Sequence, residues 1–293
     1  MEQVVAQRYS AGAGTVQPDL CCAVDYDPRH LSAIPQEVLD RDYGCGDPSR
    51  YLHQGETVLD LGCGGGKVCF IASQVVGRHG AVIGIDVNDD MLDLARRNLP
   101  HVAKALGYAN VIFRKGRIQD LALDLETLEV WLGQHPVRDL AGVTALEDQM
   151  ARLRSTSPLV DDASVDAVVS NCVLNLVATE HKAALFSEIF RVLRPGGRAV
   201  ISDIVSNVEV PDDLRADPEL WSGCISGAFQ EGAFLGAFET AGFGDVTLDK
   251  RDEAPWRVVE GIEFRSVTVV AHKGGAGAGQ PPHQATISAK TCC

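Results

Sequence analysis

The stretch TVLDLGCGGGKVCFIASQVVG, residues 57–77, decides the architecture. TVLDL is a short apolar run that reads as a buried strand, and KVCFIASQVVG reads as a helix closed by Gly77. Between them Asp60, Gly62, Gly64 and Gly66 alternate with other residues. Glycines at such a turn let the backbone bend tightly from strand to helix and approach a ligand closely. Two familiar phosphate loops fail here on spacing. A P-loop needs glycine at 61 and Ser or Thr at 68, where Leu61 and Val68 stand. A dinucleotide fingerprint starting at Gly62 needs a small residue at 67, where Lys67 stands.

Outward from this turn, strand-like and helix-like segments alternate. AVIGID (81–86) reads as a strand, NDDMLDLARRNL (88–99) as a helix capped by Asn88, and NVIFRKG (110–116) opens with a third strand. VDAVVS (165–170), the helix HKAALFSEIFRVL (181–193) and the strand RAVISDIV (198–205) continue the pattern. FQEGAFLGAFETAGF (229–243) reads as a helix, and DVTLDKR and FRSVTVVAHK as a late antiparallel edge hairpin. The expected fold is α/β: a doubly wound, Rossmann-like sheet of seven strands with the last one antiparallel. Residues 1–30 read as an irregular segment carrying a cysteine pair, and 31–205 as the core, with an inserted helical pair or lid at about 122–160. Residues 206–272 form a small C-terminal substrate-side region with the final strands, and 273–293 a flexible Gly/Pro-rich tail.

The chain has 293 residues, 45% of them hydrophobic and 23% charged, with a net charge of −14. That balance predicts a globular core and argues against nucleic acid as a partner, because phosphates would be repelled. No apolar run is long enough to cross a bilayer, so no membrane partner is expected. The N-terminus lacks the basic start and apolar core of a secretory signal. A cytoplasmic location is the expectation, and there the nine cysteines stay mostly as thiols. Adjacent pairs at Cys21-Cys22 and Cys292-Cys293, an odd total and no CxxC fit neither a disulfide framework nor structural zinc.

The glycine loop resembles the first motif of the class I S-adenosylmethionine (SAM) methyltransferases. The resemblance implies that Asp60, Gly62, Gly64 and Gly66 skirt the methionine part of SAM, and that Asp86, ending the second strand, holds the ribose hydroxyls. A carboxylate offers two acceptor oxygens to two vicinal hydroxyls. The implied cofactor set extends to Val87, Asn88 and Met91, and after the third strand to Gly116, Ile118 and Gln119.

Three cysteines have suggestive surroundings: Cys45 in DYGCGDP, Cys172 in SNCVLNL and Cys224 in WSGCISGA. Each read alone is either a small buried hydrophobe or a sulfur aimed at a ligand. Around a SAM motif and in this order, the three stretches resemble the arsenite methyltransferases from about residue 20 to 272. The resemblance implies that Cys45, Cys172 and Cys224 hold trivalent arsenic, and that Cys21 or Cys22 joins disulfide exchange. Soft thiolates suit a thiophilic centre. Arsenic held by sulfurs keeps a lone pair for attack on the SAM methyl, and a thiol reductant such as glutathione or thioredoxin would restore the electrons. Tyr43 and Gly44 either border SAM or form a packed turn, and Asn171 either contacts SAM or caps its loop. Cys69 reads as core, and Cys63 stands where the family more often has serine. GGGKVC in place of a GSGRDC-like loop, a longer helical insert and little room for a further C-terminal domain depart from the family. Two other readings stay open: methylation of another metalloid or a small organic acceptor, and thiol-based metalloid binding without catalysis.

Overall fold

The structure is a computed structural model, and it describes residues 2–17, 20 and 24–274. The chain begins with helices α1 (Glu2–Gly14), α2 (Pro28–Leu31) and α3 (Gln36–Leu39). The alternating core follows as β1 (Thr57–Leu61), α4 (Lys67–Val76), β2 (Ala81–Asp86), α5 (Asp89–Leu106) and β3 (Val111–Lys115). After α6 (Leu125–Gln134) and α7 (Leu140–Thr156) come β4 (Val165–Asn171), α8 (Lys182–Val192) and β5 (Leu193–Ser206). The last part holds α9 (Asp212–Arg215), α10 (Pro218–Ser222), β6 (Phe229–Gln230), α11 (Glu231–Thr240), β7 (Gly244–Arg251), β8 (Arg257–Val259) and β9 (Ile262–His272).

The main sheet runs β3-β2-β1-β4-β5-β9-β7, with β1 to β5 parallel and β9 antiparallel to both neighbours. This is the expected seven-strand arrangement; the short strands β6 and β8 add to β5 and β9. Alternation along each strand feeds two cores. On β1, Val58 faces the core shared with α4 and α5, while Leu59 and Leu61 face the one shared with α8 and α11. Strand order reverses between β1 and β4, and such switch points leave a crevice beyond the carboxyl ends of the strands.

Two expectations need correction. The N-terminal segment is not irregular throughout, because Glu2–Gly14 is a helix. Its sequence has little amphipathic pattern, and partners elsewhere in the fold hold it. Arg8 donates to the Glu219 carbonyl at 3.1 Å and to Ser222 Oγ at 3.0 Å, and Asn88 Nδ2 donates to the Ala6 carbonyl at 3.1 Å. The 122–160 insert is a helical pair but not a lid over the crevice. Leu123, Leu128 and Leu153 form its own small core, and Arg114 and Lys115 of β3 pair with Asp124 at 2.7 Å and Glu129 at 2.6 Å. Cys21, Cys22, Cys292 and Cys293 lie outside the described residues, as does the tail from residue 275. Among the described residues no helix is long and apolar enough to cross a membrane.

Candidate active site

A cavity of about 390 Å³ occupies the crevice at the switch point. Tyr43, Gly44, Asp60, Gly62, Gly64, Asp86, Val87 and Asn88 line it, together with Met91, Gly116, Ile118, Gln119 and Asn171. Gly66 does not: it sits behind the loop as the left-handed N-cap of α4, with φ +87°. Gly62, at φ +70°, is pressed against the loop after β4, where a Cβ would meet Val173 Cγ1 at 2.4 Å.

Asp86 anchors the loop. Its Oδ2 accepts from Gly64 N at 2.8 Å and its Oδ1 from Asn88 N at 2.9 Å. Each carboxylate oxygen keeps a further lone pair for a ligand. Burial pushes the Asp86 carboxyl up from its ordinary value, against the pull of these backbone donors. Asp60 is buried, and burial pushes it up to about 7, with the Asp86 and Asp42 carboxyls nearby adding to the rise. Lys67, which excluded the phosphate loops, reaches back to Asp42 at 2.7 Å and lies over the Tyr26 ring.

The three cysteines from distant segments meet beside this cavity. All are buried free thiols in one cluster. Cys172 lines the cavity and packs in that cluster with Cys45 and Cys224. Cys224 Sγ also donates to the Cys172 carbonyl at 3.2 Å. Burial pushes the Cys45 and Cys172 thiols up, and for Cys172 the two neighbouring thiols push further. Both therefore rest as neutral thiols at neutral pH. Among the described residues no group of three or more His, Cys, Asp or Glu stands ready to hold a metal ion. The thiols adjoin as thiols, not as a prearranged ligand cage.

The stretch NCVLN explains how they are gathered. Asn171 Oδ1 accepts from Cys45 N at 2.8 Å and Gly46 N at 3.0 Å, while Nδ2 donates to the Gly46 carbonyl at 2.7 Å and Tyr26 Oη at 3.1 Å. Its amide thus clasps the Cys45 loop, and Asn171 also lines the cavity. The glycine before Cys45 is required by close approach, since a Cβ on Gly44 would lie 2.1 Å from Asn171 Nδ2. Asn175 serves the other side, donating to the Ile204 carbonyl at 2.6 Å and the Cys224 carbonyl at 3.4 Å. Asp203 on β5 holds this loop through Leu174 N at 2.9 Å and Asn175 Nδ2 at 2.8 Å. Burial pushes Asp203 up to about 6. Cys172 at φ 62° and Cys224 at φ 60° both adopt left-handed backbone that costs a non-glycine residue of order 1–3 kcal/mol.

Sequence reasoning missed Asn175, Asp203 and the cover supplied by α1. Glu2, Gln3, Val5, Ala6 and Tyr9 of that helix all line the cavity. Tyr9 Oη lies 3.9 Å from Cys224 Sγ and its ring packs edge-on to Tyr43. No local signal marked it, because α1 lacks an apolar stripe. The second asparagine of SNCVLNL could have been weighed as a loop anchor, being a polar residue inside an apolar run.

Comparison with known proteins agrees with the fold. A family model described as a methyltransferase domain matches residues 52–242. An arsenite methyltransferase of Halobacterium salinarum is 37% identical over 231 residues, covering 78% of this chain and 48% of that protein. A human arsenite methyltransferase is 31% identical over 207 residues, covering 69% and 46%. The chain thus spans about half the length of these curated relatives. Among solved structures, an arsenic(III) S-adenosylmethionine methyltransferase from Chlamydomonas reinhardtii superposes with a TM-score of 0.65 at 26% identity, covering 89% of this chain and 76% of that one.

Proposed function

From a chain that belongs to the methyltransferase domain family, we propose an arsenite methyltransferase that uses SAM and binds trivalent arsenic at Cys45, Cys172 and Cys224. The observation that carries this reading is the meeting of three buried thiols, from segments 127 and 52 residues apart, at the wall of the cofactor-type cavity. The cavity's size falls within the ~300–1,000 Å³ of small-molecule sites. Asp86 would hold the ribose hydroxyls with its free lone pairs, and the turn at Gly62 and Gly64 would border the methionine part. SAM supplies, when bound, an activated methyl group.

The chain's own residues do the rest. Burial keeps Cys45 and Cys172 protonated, which matches a neutral substrate. Arsenous acid condenses with three thiols to give a trithiolate and three waters, so no net charge is buried. A divalent cation would instead require the site to shed protons that its burial retains. Once sulfurs hold the arsenic, its lone pair is the nucleophile, carries no proton and calls for no general base. Positioning both reactants in one crevice removes a large entropic part of the barrier. After transfer, two thiolates couple to a disulfide and return two electrons to arsenic, and a cellular thiol such as glutathione or thioredoxin reopens it. Cys45 with Cys21 or Cys22 is the pair we assign to this step.

Mass spectrometry of arsenic species after incubation with SAM, arsenite and a thiol tests the reading directly. Methylated arsenic is expected from the native chain. Cys172→Ser is expected to abolish it while leaving the affinity for S-adenosylhomocysteine within about threefold. Undiminished methylation by that variant overturns the assignment.

A further inference from the structure

Among the described residues this reading leaves two cysteines over, Cys63 and Cys69, and they are neighbours. Cys63 lies in the glycine loop and lines the cavity, and Cys69 is fully buried in α4 behind it. Both sulfurs point at Gly84 on β2, where a Cβ would meet Cys69 Sγ at 2.8 Å and Cys63 Sγ at 2.9 Å. The sulfurs are thus no more than about 5.7 Å apart. Cys69 also donates to Asp60 Oδ2 at 3.1 Å. The pair belongs to the core shared with α4 and α5, whereas Cys45, Cys172 and Cys224 share another.

We propose that Cys63 and Cys69 form a second arsenical site, a dithiol that takes a trivalent organoarsenical with two exchangeable oxygens and thereby closes the cavity to the cofactor. The proposal rests on the arsenic reading above only for the natural ligand. The condensation is RAs(OH)₂ with two Cys–SH to give RAs(S–Cys)₂ and two waters: two As–O bonds break, two As–S bonds form and no electrons are exchanged. A dithiol suits an arsenical carrying one carbon substituent, which has two open positions. Phe113 also crowds Gly84, with Cδ1 at 2.8 Å from the same Cβ point, so no room exists beneath the pair. A bridged arsenic must therefore draw Cys63 Sγ upward and place its organic group in the cavity. The backbone there is fixed, because Gly62 N and Cys63 N donate to the Ile85 carbonyl at 2.8 and 3.0 Å. The arsenical and the cofactor then compete for the same space.

Phenylarsine oxide added to the reduced full-length chain tests this, with bound phenylarsenic groups counted by native mass spectrometry. Other cysteine groups also take the probe, so the reading is a difference. Saturating S-adenosylhomocysteine is expected to lower the native count by one, and Cys63→Ser to lower it by one and abolish that protection. Cys69→Ala, read in the same way, covers the case in which Cys63→Ser does not fold. Phenylarsine oxide is also expected to weaken S-adenosylhomocysteine binding at least tenfold in the native chain and not in Cys63→Ser. A count unchanged by both substitutions, or by the nucleoside, overturns the proposal. Failure of the arsenite reading would appear separately, as absent methylated product.

Discussion

Replacing Asn171 by alanine should separate the gathering of the thiols from the binding of the cofactor. Its amide makes four hydrogen bonds: from Cys45 N at 2.8 Å, from Gly46 N at 3.0 Å, to the Gly46 carbonyl at 2.7 Å and to Tyr26 Oη at 3.1 Å. At about 0.5–1.5 kcal/mol net for each, their loss costs on the order of 2–6 kcal/mol of stability. Asn171→Asp keeps the two acceptor contacts but sets a carboxylate oxygen against the Gly46 carbonyl, so it is expected to cost at least as much. Urea unfolding monitored by tryptophan fluorescence reads this term. The functional effect comes from the Cys45 loop, which loses its clasp and no longer presents the third sulfur. Arsenite affinity, measured by equilibrium dialysis, is expected to fall at least tenfold, about 1.4 kcal/mol. S-adenosylhomocysteine affinity should fall less. If Asn171→Ala loses stability yet binds arsenite as tightly as the native chain, Cys45 is not placed by this clasp. A loss below about 1 kcal/mol would refute the energetics as well.

Three further outcomes follow from the same geometry. Gly62→Ala puts a Cβ 2.4 Å from Val173 Cγ1 at φ +70°, so S-adenosylhomocysteine binding by calorimetry should drop at least tenfold. Cys172→Gly relieves a left-handed residue at φ 62° while deleting a buried sulfur, so its stability should stay within about 1 kcal/mol of native while methylation is lost; a loss above 2 kcal/mol in urea would assign Cys172 to packing. Asp60, pushed up to about 7 by burial, binds more protons in the native than in the unfolded chain between about pH 4 and 7. Rising pH across that window should therefore cost stability, on the order of 3–4 kcal/mol from this group, and urea midpoints of Asp60→Asn at pH 5 and pH 8 should show a correspondingly smaller fall than the native chain.

What the sequence made legible was local. The turn at Asp60, Gly62 and Gly64 and the acidic end of β2 are dictated by backbone geometry within a few residues, and all line the cavity. The strand order follows from the alternation of strands and helices, because right-handed crossovers leave few other arrangements. α1 was illegible for the opposite reason. Its stability comes from Arg8 reaching Glu219 and Ser222 and from Asn88 reaching Ala6, contacts 82 to 214 residues apart that no periodicity records. The insert was half legible: its helical period is local, but whether it covers the crevice depends on ion pairs with β3.

The left-handed cysteines bear on why the motif takes the form it does. A cysteine that served only to fill space would gain from a relaxed backbone, since positive φ costs roughly 1–2 kcal/mol for any residue with a Cβ. Here two of the three thiols sit at φ near 60°, at Cys172 and Cys224, and both lie in turns fixed from outside themselves. Cys172 N is tied to the Ser202 carbonyl at 2.8 Å, and the Cys224 carbonyl accepts from Asn175 Nδ2 at 3.4 Å. Asn171 and Asn175 then draw the Cys45 and Cys224 segments in from opposite sides of Cys172. A strained position is kept only where surrounding contacts over-determine it. The surroundings here do so with polar groups, which hold direction better than apolar packing does. What they hold in common is a place in one buried cluster with Cys45, so the strain is best accounted for as the cost of bringing three thiols together beside the cavity.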